Sequence, residues 1–170
     1  MKKLFSITSK QVWAALAVFG SRLGHLPANF SPLGSFGFFG GQPILFFAVI
    51  IGFDVFVRGL YPGFWLTYLG FAAYPIFGYL SRGRVKFQLL GLPAASFSFF
   101  LLSNLGVWWY WYELTFANLL LVYSLALPFY QRTLIGDLFF GYGYLLALRL
   151  KPHFAQSQIG QLIRPKVSSL

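Results

Sequence analysis

The sequence predicts an all-α integral membrane protein: a six-helix transmembrane bundle with short or broken helices. Three observations carry this. The 170 residues are 58% hydrophobic and 22% aromatic, and only 9% are charged. A soluble domain carries about 25% charged residues, so this chain has too few to cover a water-facing surface. The apolar residues fall into long segments separated by Pro, Gly and basic residues. At this length one domain is expected, a transmembrane unit over 1–150 followed by a polar cytoplasmic tail over 151–170.

Segment one runs from about Val12 to Leu23. It is short for a span, since a core of about 30 Å needs about 20 residues. Lys2, Lys3 and Lys10 before it give a signal-peptide look, but retention is expected, because later segments need the helix for packing. A polar, proline-marked loop follows: Arg22-Leu-Gly-His25-Leu-Pro27-Ala-Asn29-Phe-Ser31-Pro32. Ser31-Pro32 reads as an N-cap with proline at the first helical position. Segment two ends at Gly40-Gly41, and segment three runs from Ile44 to Gly59 after a Gly-Gly-Gln-Pro turn. Tyr61-Pro62-Gly63 is a turn, segment four is Phe64 to Leu80, and Arg82, Arg84 and Lys86 form a basic loop. Segment five runs from Phe87 to about Tyr110 and ends in the aromatic cluster Trp108 to Tyr112, a membrane-interface signature. Pro128 is expected to break the next apolar run, Thr115 to Leu127, from segment six at Phe129 to Leu150.

Charge sets the expected topology. Lys and Arg number 13 against three acids, and ten of the 13 lie before segment one, after segment four or after segment six. The positive-inside rule places these clusters in the cytoplasm, which requires an even number of crossings between them. Six spans in the cell membrane with both termini cytoplasmic satisfy it, with residues 115–127 re-entrant, interfacial or fused to a neighbour; seven spans is the alternative. Nucleic acid is not expected as a partner, because the basic residues cluster between apolar segments. With no cysteine, disulfides and thiolate ligands are excluded.

In this topology the unusual polar groups gather on the outer side. Asp54 lies 12 residues after Gln42, roughly 18 Å up a helix, and Asn104 lies 18 residues after Lys86, roughly 27 Å up. Arg132 and Asp137 fall in the first turns of segment six. Arg22, His25, Asn29, Asp54, Asn104, Trp108, Arg132 and Asp137 are therefore the candidate substrate-binding residues. Intramembrane ionisable groups cost about 2.5–3.5 kcal/mol even on lenient scales, so they face partners or cavities. Each also has a plain structural reading. Asp54 and Arg58, four apart on one helix, neutralise each other; Asp137 clamps helices through Arg132, Arg22 or His25; Asn104 bonds between helices; Trp108 belongs to an interface belt. No HExxH, GxSxG, P-loop or dinucleotide motif is present. Neither an enzyme, a cofactor nor a metal site is expected.

The motifs Arg22-x-x-His25-x-Pro27-x-Asn29-Phe30-Ser31-Pro32, Gly40-Gly41, Asp54, Ser103-Asn104-x-Gly106-Val107-Trp108, Leu127-Pro128-Phe129 and Gly136-Asp137-Leu138-Phe139-Phe140 resemble the domain-of-unknown-function 6580 family, described as membrane transport proteins, over about residues 10–150. The overall plan also resembles the substrate-binding S-components of energy-coupling-factor vitamin transporters. The resemblance implies binding and uptake of a small water-soluble, vitamin- or micronutrient-like molecule near the external face. It also implies an energising membrane subunit docked on helix one through Ala17, Gly20, Ser21 and Gly24. A non-catalytic structural or assembly subunit of a larger membrane complex is the competing expectation.

Overall fold

The structure is a computed structural model that describes residues 7–24, 26–40 and 42–156, with side chains to residue 150. Helix α1 spans Ser9–Ser21. It starts there because Thr8 and Gln11 form a capping box: the Gln11 N–H bonds the Thr8 hydroxyl, and the Thr8 N–H bonds Gln11 Oε1 at 2.9 Å. Gln11 Nε2 also donates to the Gly40 carbonyl at 3.2 Å, which ties the start of α1 to the end of the next helix. That helix, α2, covers only Leu33–Phe39. Ser31 Oγ accepts the Leu33 N–H at 3.4 Å and the Pro32 carbonyl accepts the Phe36 N–H at 2.8 Å; the helix starts one residue later than the sequence indicates, with Pro32 rather than Ser31 at the N-cap.

Helix α3, Pro43–Phe53, has proline in its first turn and runs directly into a π turn over Asp54–Arg58. Gly59 ends it at φ +87°, its N–H reaching back to the Asp54 carbonyl at 2.6 Å. Helix α4 is Phe64–Leu80, α5 is Val85–Trp111 and α6 is Phe116–Gln156. The described residues form six helices and no strand.

Two expectations need correction. Pro128 does not end a helix: α6 continues through it, so 115–127 is fused to segment six. Tyr123 and Tyr130 bracket the proline and both pack on Phe100 of α5, with ring centroids 5.5 and 4.6 Å away. The helix continues across the missing N–H, a tolerance common in membrane helices whose neighbours pack against the proline. The fusion also puts Asp137 deep in α6, 137 − 116 = 21 residues past its start, rather than in a first turn. The second correction concerns spans. α5 and α6 are long and apolar enough to cross a membrane. α2, with seven residues, rises only about 10 Å and cannot cross one alone.

Short as it is, α2 sits at the centre. Leu33, Gly34, Ser35, Gly37 and Phe38 are buried, and α2 packs on α4, α6 and the ends of α1, α3 and α5. Glycines make the room. A Cβ at Gly78 would collide with the Phe38 carbonyl, one at Gly37 with the Phe46 ring, and one at Gly141 with Leu92. The core around α2 joins Ala15, Val18, Phe46, Ile50, Tyr74, Leu92 and Ala95. The outer surface is apolar: Trp13, Phe56, Ile76, Leu90, Val107, Phe116 and Phe139 are among many large side chains left uncovered.

Gly78→Ala is expected to destabilise by about 1–3 kcal/mol, because its Cβ meets backbone that cannot move aside. Gly20→Ala, where no atom lies within 4 Å of a Cβ, is expected to be neutral or to stabilise by about 0.5–1 kcal/mol. Thermal unfolding in detergent compares the two.

Candidate functional site

Because α2 begins deep in the bundle, the chain between α1 and α2 must descend from the end of α1 as an irregular loop. The loop is shaped by its own residues. The Phe30 N–H bonds the Pro27 carbonyl at 2.9 Å, closing a turn in which Asn29 takes φ +65°. Asn is one of the few side chains that adopt this left-handed geometry readily. Phe30 anchors the turn on α6, with ring centroids 5.8 Å from Phe139 and 5.4 Å from Phe140. Gly136 lets the Phe30–Ser31 backbone lie directly on α6.

Under this loop lies a cavity of about 280 Å³. Arg22, Asn29 and Ser31 line it from the loop side, Phe53, Asp54 and Arg58 from the end of α3, and Thr67, Phe71 and Tyr74 from α4. Thr133 and Asp137 contribute from α6. Arg58, Tyr61 and Thr67 also border a second hollow of about 480 Å³, which continues past Ser103, Trp111 and Tyr112 at the end of α5.

Two carboxyl groups face this space, and each is held by a tyrosine. Asp54, 4% exposed, accepts from the Tyr68 hydroxyl at 2.9 Å. Asp137, 1% exposed, accepts from Tyr74 at 2.5 Å, and Ser35 Oγ donates to its backbone carbonyl at 2.8 Å. The Tyr74–Asp137 bond joins α4 to α6 at the cavity floor. Gly34 crosses directly above it, where any Cβ would overlap both the carboxylate and the ring.

The arginines are arranged otherwise. The Arg22 guanidinium lies over the Phe53 ring, 4.1 Å from its centroid, and Arg58 lies over Tyr61 at 5.5 Å. The helix-internal pairing of Asp54 with Arg58 does not form: Asp54 bonds Tyr68 on α4 instead. Arg22 Nη1 is buried and has no hydrogen-bond partner among the described residues. A buried donor left unpaired costs about 1–3 kcal/mol, and more when charged.

Of the residues singled out in the sequence, Arg22, Asn29, Asp54 and Asp137 therefore meet in one cavity. Three others do not reach it. Asn104 Nδ2 bonds the Phe100 carbonyl of its own helix at 2.7 Å, Trp108 Nε1 bonds the Thr115 carbonyl at 3.3 Å, and Arg132 is exposed on α6. His25 lies outside the described residues. Sequence reasoning missed Tyr68, Tyr74, Phe53 and Thr67. A signal for the tyrosines was present: a buried acid needs a donor, and Tyr68 and Tyr74 place hydroxyls inside the apolar α4.

The fold and site together are an all-helical chain with a cavity lined by two arginines and two carboxyl groups. The profile of one family, a family of unknown function designated DUF6580, matches residues 4–155, and the chain belongs to it. No curated protein and no solved structure matches the chain.

Tyr74→Phe is expected to destabilise the fold by about 1–3 kcal/mol, because Asp137 then loses its side-chain donor while still buried. The double variant Tyr74→Phe/Asp137→Leu should cost less than the sum of its singles. Thermal melts of the four proteins of this cycle give the coupling energy directly.

Proposed function

We propose that this chain is an integral protein of the cell membrane that binds a small water-soluble molecule in the cavity under the 22–32 loop, as the capture step of its uptake. The observation that carries the proposal is the cavity itself. It concentrates Arg22, Arg58, Asp54 and Asp137 inside a bundle whose outside is apolar. Ionisable groups are tolerated at such depth when they line a cavity or pair with one another. Irregular backbone within a bilayer is likewise restricted to segments that are buried or line a cavity, which describes the loop between α1 and α2.

The topology of the proposal follows from the connections. α1 rises from the cytoplasm, and the loop descends to mid-depth. α2 completes the return to the Gly40 turn, beside the start of α1. α3 with its π turn rises again, and α4, α5 and α6 alternate. Both termini and the Arg82–Lys86 loop are then cytoplasmic, and the cavity faces outward through the hollow at Tyr61 and Trp111. The loop and the half-length α2 together count as one crossing. π turns such as Asp54–Arg58 are frequent at functional sites because they re-aim side chains. On α1, Ala17 is exposed and no atom lies within 4 Å of a Cβ at Gly20 or Gly24. That surface supports docking of an energising subunit through Ala17, Gly20 and Gly24, whereas Ser21 borders the cavity.

A second reading, a structural or assembly subunit, is favoured by Arg132. Its guanidinium is exposed near the level of the Tyr130–Phe100 stack, halfway along α5, where lipid is a poor surrounding and a partner chain a better one.

Native mass spectrometry of the protein released from mild detergent separates the two. The capture reading expects a retained small molecule, absent from Thr67→Trp, whose larger side chain fills the passage between the two hollows. Stable copurification of other chains, with no bound small molecule in either protein, would establish the second reading instead.

A further inference from the structure

We infer that the ligand of this cavity is a small monocarboxylate, bound through its carboxylate to Arg22; this rests on the proposed small-molecule site. Arg22 Nη1 is buried and without a hydrogen-bond partner among the described residues, although the Asp54 carboxyl lines the same cavity. Asp54 accepts from Tyr68 and Asp137 from Tyr74, and among the described residues neither carboxyl group makes a direct hydrogen bond to Arg22, although the Asp54 charge acts on it across the cavity. One face of the guanidinium is covered by the Phe53 ring at 4.1 Å. Such stacking fixes the plane and leaves the in-plane N–H groups to a ligand. A guanidinium presents its donors as a planar fork that matches the two oxygens of a carboxylate.

The remainder of the lining limits the ligand's charge and size. Two guanidinium groups, Arg22 and Arg58, share the space with the carboxyl groups of Asp54 and Asp137. A dianion such as a phosphate monoester would bring two negative charges into a space that already holds two carboxyl groups, whereas a single carboxylate brings one. The volume of about 280 Å³ is at the small end of ligand pockets, which run from about 300 to 1,000 Å³. Phe53, Phe71 and Phe99 offer apolar wall to the body of the molecule, and Asn29 and Thr67 offer hydrogen bonds to a further polar group.

The test uses three probes of one shape and different charge: benzoate, benzamide and benzylamine, titrated calorimetrically into the full chain in detergent. Benzoate is expected to bind at least about tenfold more tightly than either of the others, the equivalent of one charge-assisted bond. Arg22→Lys keeps the charge but loses the fork, and should lower benzoate affinity severalfold while leaving benzamide unchanged. Arg22→Gln should erase the preference for benzoate. If Arg22→Gln does not fold, the Arg22→Lys comparison decides. Equal binding of benzamide or benzylamine, or a benzoate preference that survives the Arg22 variants, overturns the carboxylate assignment and leaves a small-molecule site standing. Binding of none of the three probes overturns the carboxylate assignment, while the small-molecule site itself is decided by the retained molecule in native mass spectrometry.

Discussion

The hydrogen bond from Tyr74 to Asp137 is the constraint on which the remaining architecture depends. It joins α4 to α6 at mid-height and leaves only the width of a glycine above it. Gly34, in the first turn of α2, occupies that width. A helix of seven residues that starts at this level does not meet the end of α1, and the chain between them is an irregular polar loop. The loop roofs the cavity, and the clamped acid is part of its floor. One buried pair thereby sets helix length, loop depth and cavity position at once. Buried acid–hydroxyl pairs are costly to half-satisfy, and here the Ser35 hydroxyl on the Asp137 carbonyl adds a further tie to α2.

The cavity wall shows a division of labour between charges. The carboxyl groups are satisfied inside the protein by tyrosines from α4, whereas the arginines rest on aromatic faces. A bundle using these charges only to hold its helices together would bring Arg22 onto Asp54. The acids serve the scaffold and at least one guanidinium stays open to something else. A wider hollow lies beyond Tyr61, bordered by the ends of α3 and α5 and by the 59–63 turn.

Much of the fold was legible in the sequence. The 64–80 helix, the start of α2 within a residue of the Ser-Pro pair, the proline in the first turn of α3 and the position of the basic loop follow from local chemistry, which tertiary contacts did not override. Pro128 was misleading because its cost is offset by Tyr123 and Tyr130 packing on Phe100, a contact invisible along the chain. The site was half legible. Charged residues in apolar segments are conspicuous, so Arg22, Asp54 and Asp137 could be picked out. Their partners could not, since Tyr68 and Tyr74 look like ordinary aromatic filling until a fold brings a carboxylate against them. Asn104 and Trp108 carry the same residue-level signals as site residues, yet backbone carbonyls within reach of their own side chains satisfy them.

In the proposed topology Asn29 and the loop lie over a cavity that opens to one side of the membrane. The sequence contains no cysteine, so a single introduced thiol reports its own accessibility without background. The most direct measurement is labelling of Asn29→Cys and Gly83→Cys in intact cells with a membrane-impermeant maleimide, repeated after permeabilisation. The account predicts that Asn29→Cys reacts in intact cells and that Gly83→Cys reacts only once the membrane is opened. Labelling of both positions from the same side, or no reaction at Asn29→Cys under either condition, would contradict it.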